Sequence, residues 1–576
     1  KKFTYTRQES YKLNYIAKVE LGEEKLDNPY ETFKDFYTKD YQRFVEYNIQ
    51  DVELVDRLED KMRLIELCLT MAYDYKVNYN DVYSQVRCWD TLIYNHLLKK
   101  NIIIPPREEQ IKDSQYEGAY VKDPQLGLHN WIVSFDLNSL YPHLIMQYNI
   151  SPEMFIGVQP QTVGVENFLN EKLDLNWAQS KDVTIAPNGA MFKRNKQGFL
   201  PELMEKMYSD RVIFKKKAIE AKKEFQKTKD PIYKNEISRC HNIQMAKKIA
   251  LNSAYGAIGN QYFRYFDVKQ AEAITLGGQL SIRWVERDVN KFMNKILNTD
   301  NINYVVASDT DSIYLKLDKL VEKVCKDKTI KQITDFIDKA AEDKIQKVID
   351  KSFENLAKYV NAYQQKMIMK REAIANKGIW VAKKRYMMNV FDEEGIRFDI
   401  PKLKIMGVEA VKSSTPEVCR GKIKDAIRVI MNDSEDALIK FVNDFKEVFK
   451  TLSPEEVAFP RSCNNIDKYV DSNSIYKKGT PIHVKGSLIY NHNINKHKLQ
   501  RKYPLIKDGD KIKFLMLKQP NVVKDTVISF ATKIPPEFDL HKYVDYDTQF
   551  EKTFTDPLRF ILDSIGWKLE REATLE

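Results

Sequence analysis

Two aspartates, Asp309 and Asp311, stand between two short apolar runs that favour β-strands, within Val305–Tyr314. On extended backbone, residues two apart project to the same face, so both carboxylates would leave one face. Two anions held between apolar strands are costly unless a cation lies between them. Mg²⁺ is the usual cation at an all-oxygen site that handles phosphates. The pattern therefore favours a metal-binding hairpin, with an ordinary acidic turn as the alternative.

A second carboxylate ends another apolar run. The segment Trp131–Phe135 leads directly into Asp136, and Pro142 follows a few residues later. An aspartate at the end of a buried strand can project into the same site as the acidic hairpin. One carboxylate from each of two strands is the minimum scaffold for a two-metal centre.

A third segment supplies positive charge. Lys248, Asn252 and Tyr255 have the spacing i, i+4, i+7, which predicts one face of a helix. Gly256 follows and is expected either to end that helix or to allow close packing.

These three segments, in chain order, resemble motifs A, B and C of the family B (alpha-like) DNA polymerases. Motif A corresponds to Asp136–Pro142, motif B to Lys248–Gly256 and motif C to Asp309–Ser312. The resemblance extends over nearly the whole chain and is closest to the replicative polymerases of T-even-type tailed phages. The further segments that carry it are Ile150–Glu153, Arg371–Ala375, Lys383–Tyr386 and Pro401–Gly407.

The resemblance implies an α+β right-hand polymerase. Its palm would hold an antiparallel sheet, its fingers a helical hairpin and its thumb a mixed structure, after the end of an RNase H-like exonuclease domain. The residues themselves predict two long helices between Pro201 and Tyr255, joined near Lys229–Pro231, and a hairpin turn at Pro187–Gly189. The expected divisions are an exonuclease remnant (1–63), a helical linker or part of an amino-terminal domain (64–107), palm (108–196 and 261–411), fingers (197–260) and thumb (412–576).

The implied reaction is attack of a primer 3′-oxygen on the α-phosphorus of a deoxynucleoside triphosphate, with two Mg²⁺ ions that Mn²⁺ can replace. By resemblance, Asp136 and Asp311 bridge the metals and the Leu137 carbonyl adds a ligand. Asp309 and Glu372 are further carboxylates, with Glu372 facing the metals.

The resemblance also assigns the nucleotide and DNA contacts. Lys248, Arg211 and Lys215 would neutralise the triphosphate, while Tyr141 would exclude a 2′-hydroxyl. The remaining nucleotide contacts would be Leu137, Ser139, Asn252 and Tyr255. The DNA contacts would be Tyr116, Gly118, Lys383, Lys384, Arg385, Tyr386 and Lys404. A core role for Tyr255, an ordinary turn at Gly118 and plain surface charge at Lys383–Tyr386 remain the alternatives.

Near the start of the chain, Tyr47 and Asp51 resemble the third motif of a proofreading 3′→5′ exonuclease, on a helix that is expected to run on through Ile65. The two earlier carboxylate motifs have no match upstream, and one carboxylate segment is not expected to sustain a two-metal nuclease. Two explanations stay open: a truncated fragment, or one half of a split polymerase whose separate partner chain carries the missing part.

The chain end bears on a protein partner. Family members usually finish with an apolar and aromatic peptide that docks on the sliding clamp. This sequence has no aromatic residue after Trp567, so clamp binding is expected of the full-length protein, and distributive synthesis of this chain.

Composition narrows the class of protein. The 576 residues carry a formal charge of +10, which is compatible with a polyanionic partner. The six cysteines form no CxxC pair, which argues against structural zinc and disulfides. No apolar run is long enough to span a membrane, and the resemblance implies the cytoplasm of a phage host.

The three motifs have two other interpretations, and the sequence differs from the family pattern at two positions near them. A protein-primed family B polymerase needs a long insertion between motifs B and C, for which Gly256 to Asp309 leaves little room. An inactive DNA-binding subunit would have lost a motif carboxylate, and none is lost. His143 stands where motif A commonly has Ser, and Ser308 where Gly is frequent before motif C.

Overall fold

The computed structural model describes residues 8–30, 32–112, 115–471 and 474–569, a mixture of helices and antiparallel sheets. The strands of these residues are β1 (Gly127–Leu137), β2 (Phe155–Val163), β3 (Val183–Ile185), β4 (Asn188–Lys193), β5 (Val305–Asp309), β6 (Ser312–Lys316), β7 (Met369–Ala382), β8 (Arg385–Glu393), β9 (Ile396–Met406), β10 (Phe459–Ser462), β11 (Lys511–Met516) and β12 (Val527–Phe530). The helices before β5 are α1 (Leu13–Leu21), α2 (Phe33–Lys39), α3 (Tyr41–Met62), α4 (Leu64–Tyr75), α5 (Gln85–Leu98), α6 (Leu140–Tyr148), α7 (Val165–Leu169), α8 (Asn176–Ser180), α9 (Phe199–Thr228), α10 (Pro231–Ile258) and α11 (Val268–Leu297). Those after β6 are α12 (Asp318–Val324), α13 (Ile330–Ala340), α14 (Gln346–Tyr359), α15 (Glu417–Asn432), α16 (Glu435–Phe449), α17 (Pro454–Val457), α18 (Ile482–Lys496), α19 (Tyr546–Phe550) and α20 (Asp556–Ile565).

The largest sheet has six antiparallel strands in the order β5-β6-β1-β7-β8-β9. Its inner strand β1 has the apolar, β-branched and aromatic residues that suit a covered sheet, and Ile132, Val133 and Phe135 are fully buried. β1 comes early in the chain but pairs with two strands that come much later, β6 and β7. The ends of β1 and of the β5–β6 hairpin are thereby brought together.

A long helical hairpin, α9 and α10, projects between β4 and α11. Asp230 caps α10 by accepting the amide of Ile232 at 2.9 Å, and Pro231 occupies the first helical position. This confirms the two helices expected to join near Lys229–Pro231. The turn before β4 also forms as expected, with the Gly189 amide donating to the Ala186 carbonyl at 2.8 Å.

From Leu67 onward, three apolar clusters form the core of the described residues. The largest cluster joins α4, α5, the α9–α10 hairpin, α11 to α14 and one face of the six-stranded sheet. The second lies in the carboxyl-terminal part, around α15, α16, α18, α20 and the β10-β11-β12 sheet. A small third cluster covers part of the other sheet face, around Tyr314, Trp380 and Tyr386. No helix in the described ranges is both long and apolar enough to cross a bilayer.

Three local predictions were wrong. The helix carrying Tyr47 and Asp51 ends at Met62, because Arg63 has a positive φ of 52° and a new helix starts at Leu64. The helical pattern expected from residue 64 up to a break at Ile102–Pro106 ends a few residues earlier, because α5 stops at Leu98. Gly256 neither ends its helix nor packs closely, since α10 continues to Ile258 and a Cβ at Gly256 would meet nothing within 4 Å.

Candidate active site

Asp136 and Asp311 meet where β1 ends beside the β5–β6 turn. The Cα of Asp136 pairs in register with Ser312, the first residue of β6. The Leu137 amide donates to the Asp311 carbonyl at 2.8 Å, which fastens the turn to the end of β1. The sheet pairing therefore brings motif A and motif C together.

The local backbone of motif C differs from the expectation. Thr310 and Asp311 form the two-residue turn of the hairpin, with Thr310 at a φ of 57°, so the backbone between the two aspartates is not extended. Asp309 accepts a hydrogen bond from the Thr310 hydroxyl at 3.0 Å and forms an ion pair with Lys384 at 3.2 Å. The two aspartates come close through a turn rather than along one strand face.

Burial and like charge raise the pKa of both central aspartates. The pKa of Asp136 is raised to about 7 by burial, then by repulsion from Asp311 and Glu372. The pKa of Asp311 is raised to about 6 by burial first and by Asp309 and Glu372 next, although its own backbone amide lowers it. Excess negative charge in a partly buried site is what a divalent cation would relieve.

Glu372, on β7, belongs to this cluster but has other partners. Its carboxylate accepts from the Ser134 hydroxyl at 3.1 Å and pairs with the Lys404 ammonium at 2.6 Å. Among the residues that the structure describes, no three His, Cys, Asp or Glu side chains form a group arranged to hold a metal ion. The donor chemistry of Asp136 and Asp311 suits Mg²⁺, with Glu372 oriented beside them by Ser134 and Lys404.

Arg211 reaches from α9 to the start of α6. Its guanidinium donates to the Ser139 hydroxyl at 3.3 Å, and Ser139 has the positive φ of 50° that opens α6 after motif A. The Arg211 Nε is buried and has no hydrogen-bond partner among the described residues.

The other predicted nucleotide contacts on the two helices differ in exposure. Lys215 is exposed one turn further along α9. On α10, Lys248 is half-buried and Asn252 is exposed.

Three tyrosines from different segments meet beside the carboxylates. The Tyr141 and Tyr255 rings lie 4.7 Å apart between centroids, and the Tyr255 hydroxyl donates to the Tyr116 hydroxyl at 3.2 Å. The pKa of Tyr141 is raised by burial and by the negative charge of Asp311. Both Tyr255 and Tyr141 are half-buried rather than in the core.

Gly118, in the segment between α5 and β1, is exposed. Its carbonyl accepts a hydrogen bond from the side chain of Gln279 on α11 at 2.8 Å. The same segment lies close to the end of α10, because a Cβ added at Gly259 would be 2.4 Å from the Tyr116 hydroxyl. A residue with a Cβ at position 259 would have to displace the Tyr116 hydroxyl.

The four residues Lys383–Tyr386 do not share one environment. Lys383 and Lys384 occupy the β7–β8 turn and are exposed, with Lys383 3.0 Å from the exposed carboxylate of Asp123. Arg385 pairs with Glu409 at 2.6 Å. Tyr386 is buried, and its hydroxyl lies 2.7 Å from that of Tyr314. The exposed part of this segment is therefore its first two lysines.

Tyr47 and Asp51 do lie side by side on α3, but a lysine joins them. The Lys25 ammonium is 2.6 Å from the Asp51 carboxylate and 4.7 Å from the centroid of the Tyr47 ring. Burial lowers the pKa of Lys25, but the hydrogen bonds that its ammonium donates to Asp51 and Tyr47 outweigh that effect and raise the pKa overall.

The sequence interpretation missed Ser134, Lys25 and the ion pair of Lys404 with Glu372. Ser134 carries one signal, since it is a polar residue inside an apolar strand, two positions before the motif A aspartate. Lys25 and Lys404 carry none, because each meets its carboxylate only through tertiary packing. In the carboxyl-terminal part, Lys485 on α18 pairs with Asp525 at 2.6 Å, and a Cβ at Gly486 would lie 2.5 Å from the Ser529 hydroxyl.

The two departures from motifs A and C are both buried. His143 packs its ring edge-to-face on Tyr208, with centroids 4.6 Å apart, and its Nδ1 is 2.9 Å from the Ser139 carbonyl. Burial lowers the pKa of His143, which favours the neutral ring. Ser308 is almost fully buried in β5. Neither side chain joins the carboxylate cluster.

Comparison with known proteins decides the family. The sequence model described as DNA polymerase family B matches residues 81–565, which is most of the chain. The chain belongs to DNA polymerase family B. As a family B member it is an enzyme, a DNA polymerase.

The relatives place this family B chain near phage enzymes. It is 33% identical over 634 aligned residues to the DNA-directed DNA polymerase of Escherichia phage RB69, covering 100% of this chain and 69% of that protein. The DNA-directed DNA polymerase of Enterobacteria phage T4 is 31% identical over 633 residues, with the same coverage of each chain. A DNA polymerase of the archaeon Thermococcus gorgonarius is 24% identical over 577 residues, covering 98% of this chain and 62% of that protein.

Proposed function

We propose that this family B chain copies a DNA template by adding deoxynucleotides to a primer 3′ end through two-metal-ion catalysis, in phage genome replication inside the host cell. The observation that carries the proposal is that Asp136, at the end of β1, lies beside the β5–β6 turn that carries Asp311, where burial first and like charge next raise the pKa of both carboxyl groups. A pair of carboxylates in this electrostatic state is suited to a divalent cation at neutral pH.

Asp136 and Asp311 would hold the ions, and the Leu137 carbonyl beside them would add an oxygen. Bound Mg²⁺, or Mn²⁺ in its place, would supply Lewis-acid stabilisation of the attacking and leaving oxygens. Glu372, fixed by Ser134 and Lys404, adds negative charge that favours divalent over monovalent cations. Asp309 is held by Lys384 and lies at the edge of the cluster.

The nucleotide would bind between the α9–α10 hairpin and the sheet. Arg211, already directed to Ser139, and Lys248 would neutralise the triphosphate, with Lys215 one turn further away. Tyr141 would lie under the sugar and reject a 2′-hydroxyl. Tyr255 and Asn252 would border the new base pair, and Tyr116 with Gly118 would border the template. This is catalysis by positioning and electrostatics.

The described elements support a right-hand organisation. We assign α9 and α10 to fingers (197–260), the six-stranded sheet with its helices to palm (108–196 and 261–411), and the α15–α20 region to thumb (412–576). Residues 1–63 would be the end of an exonuclease domain and 64–107 a helical linker. Lys383 and Lys384 are the exposed lysines of the palm best suited to the primer backbone.

Proofreading is the activity that we do not assign to this chain alone. The Asp51 carboxylate is engaged by Lys25, and one carboxylate segment provides too few ligands for two metals. A separate chain carrying the earlier exonuclease motifs would have to displace Lys25 from Asp51. The proposed partners are therefore primer–template DNA and nucleotides first, then a sliding clamp and such a chain for the full-length protein.

The decisive experiment replaces Asp311 with Asn. Because the amide cannot hold a divalent cation as a carboxylate does, primer extension should fall by about a thousandfold or more at saturating Mg²⁺, on the scale of losing a principal electrostatic stabiliser. Binding of primer–template, measured by fluorescence anisotropy in EDTA, should stay within about twofold of the unmodified chain, since a mutation away from the binding contacts changes affinity little. Asp300→Asn, in the exposed turn before β5, is the matched control and should extend primers normally. Normal extension by Asp311→Asn would refute the metal assignment, and an unmodified chain that binds but never extends would favour an inactive DNA-binding subunit.

A further inference from the structure

Three helices meet at the ammonium group of Lys247. This residue lies on α10, and its Nζ is 2.7 Å from Asp74 on α4 and 3.8 Å from Asp210 on α9. The Lys247 side chain is only 12% exposed, whereas the two carboxylates are more open. An ion pair this well shielded from water constrains geometry more than a surface pair does.

The sequence positions of two network members tie them to the nucleotide site. Lys247 immediately precedes Lys248, and Asp210 immediately precedes Arg211. Successive residues of a helix are about 100° apart around its axis, so each pair of neighbours leaves adjacent sides of its helix. Rotation of α9 or α10 that breaks the network would therefore redirect Arg211 or Lys248.

Two buried side chains fix the same stretch of α10 independently. The Tyr75 hydroxyl donates to the Ala246 carbonyl at 2.7 Å, one residue before Lys247. The Trp89 indole donates to the Ala250 carbonyl at 3.2 Å and to the Ser253 hydroxyl at 3.1 Å. These contacts come from α4 and α5, so both helices hold the turns of α10 that carry Lys248 and Asn252.

The packing beside the network is open. A cavity of about 330 Å³ lies between α4, α5, α9 and α10, and Asp74, Asp210 and Lys247 are among its lining residues. Because apolar packing is incomplete here, the polar contacts have a larger part in setting how α9 and α10 stand relative to α4.

We propose that Lys247, Asp74 and Asp210 are positioning residues that hold Lys248 and Arg211 in the orientation that binds the triphosphate. The inference rests on the proposed polymerase function. It adds that the ion pairs of Lys247 hold α9 and α10 in place against α4. Lys247 does not itself bind the nucleotide; its ammonium is committed to the two aspartates.

The test compares Lys247→Met, Asp74→Asn and Asp210→Asn in steady-state primer extension. Each should raise the apparent KM for deoxynucleotides by at least about fivefold, with kcat changing less and with primer–template affinity unchanged. Lys247→Arg keeps the charge and should restore a KM near that of the unmodified chain. Lys206→Met removes another lysine that lines the same cavity, one turn before Asp210, and should leave the KM unchanged.

The double variant Asp74→Asn/Lys247→Met separates a network from independent effects. If the two side chains act through one ion pair, its KM should match that of Lys247→Met alone. A KM unchanged in all three single variants, while Lys248→Ala still raises it strongly, would overturn this inference and leave the polymerase proposal standing. Loss of kcat and melting temperature without a change in KM would mean that the network serves stability only, which also overturns it. An unmodified chain that does not extend primers would instead refute the proposed function.

Discussion

At the scale of single residues, the central feature is that the fold holds like charges together at a cost. Asp136 and Asp311 lie at the ends of different chain segments, and the sheet pairing allows neither to move away from the other. Under the proposed function, this loss of stability is the cost of holding the carboxylates that would bind the metal ions.

The repulsion at Asp136 should measurably lower the free energy of unfolding. The folded-state pKa of Asp136 is about 7, above its ordinary value of 3.8, so the unfolded chain releases this proton more readily. The native state therefore loses stability as pH rises through this range, and the full penalty is present above about pH 7. In EDTA at pH 8, Asp136→Asn should raise the apparent melting temperature by roughly 2 °C.

Two conditions check that the gain comes from charge. The difference between Asp136→Asn and the unmodified chain should shrink at pH 5, where the folded chain keeps the proton. It should also shrink when Mg²⁺ is added at pH 8. Asp300→Asn should show no gain under either condition, and an equal gain at both pH values would contradict the electrostatic origin.

Tyr141 provides a second residue-scale prediction. Its ring packs against Tyr255 next to Asp311, which is where the sugar of an incoming nucleotide would lie. Tyr141→Ala should reduce discrimination against ribonucleotides by about a hundredfold, since a lost steric contact of this size is worth 1–3 kcal/mol. The measurement is the ratio of kcat/KM for a deoxynucleotide and its ribonucleotide.

A matched control for the tyrosine is Tyr94→Ala, which removes an exposed ring on α5. It should leave that ratio unchanged. Equal discrimination by Tyr141→Ala and the unmodified chain would exclude Tyr141 as the residue that rejects the 2′-hydroxyl.

At the scale of elements, the β7–β8 turn and helix α18 carry lysines that sequence alone treats alike. Lys383, in the turn, pairs with Asp123, whose side chain is 90% exposed, whereas Lys485 on α18 is held by the buried Asp525, which also accepts from the Tyr476 hydroxyl at 2.6 Å. Only a lysine that is available to a phosphate releases counterions on binding DNA.

The two lysines should therefore differ in a salt titration. Lys383→Ala should reduce the slope of log affinity for primer–template against log salt by about one. Lys485→Met should leave the slope unchanged while lowering the melting temperature, because it leaves the buried Asp525 carboxylate without a counter-charge. A smaller slope for Lys485→Met would show that Asp525 gives up its partner to the DNA.

Sequence reasoning reached the elements whose pattern is local. The α9–α10 hairpin follows from long helical runs around an Asp-Pro cap, and the β5–β6 hairpin from two apolar runs around an acidic turn. The antiparallel sheets agree with the expected mixed fold. That the sheet is antiparallel was implied only by the resemblance, and the order of its strands was not predicted, because it depends on pairing between segments far apart in the chain.

The parts that sequence reasoning missed depend on contacts between distant segments. Lys25 with Asp51, Lys404 with Glu372 and Lys247 with Asp74 are lysine–carboxylate pairs whose partners are far apart in sequence or on separate elements. Lysine is common throughout the chain, so its abundance conceals which residues are paired. The helix break at Arg63 was missed for another reason: a positive φ at arginine has no signature in sequence.

At the scale of the whole molecule, the amino-terminal helices limit what the chain can do alone. We expect the 576-residue chain to extend primers but not to remove a mismatched 3′ nucleotide, because Lys25 occupies the only carboxylate of its exonuclease-like segment. The removal of the mismatched nucleotide can be measured as release of the label from a 3′-labelled mismatched primer in the absence of nucleotides. Rapid excision that disappears in Asp51→Ala would contradict the prediction, whereas excision that survives this change would indicate a contaminating nuclease.

The place of β1 in the sheet has a consequence for how the protein is made. Asp136 and its neighbours pair with Ser312 on one side and with Lys370 on the other, so the ribosome must translate more than two hundred further codons before β1 has both neighbours. At typical synthesis rates this takes roughly 10–50 seconds, during which β1, whose Ile132, Val133 and Phe135 are buried in the folded chain, lacks at least one of its partner strands. A nascent chain in that interval is a natural client for chaperones. An early stop in translation would likewise release a polypeptide that carries Asp136 and the complete α9–α10 hairpin but lacks the strands that complete the sheet around β1.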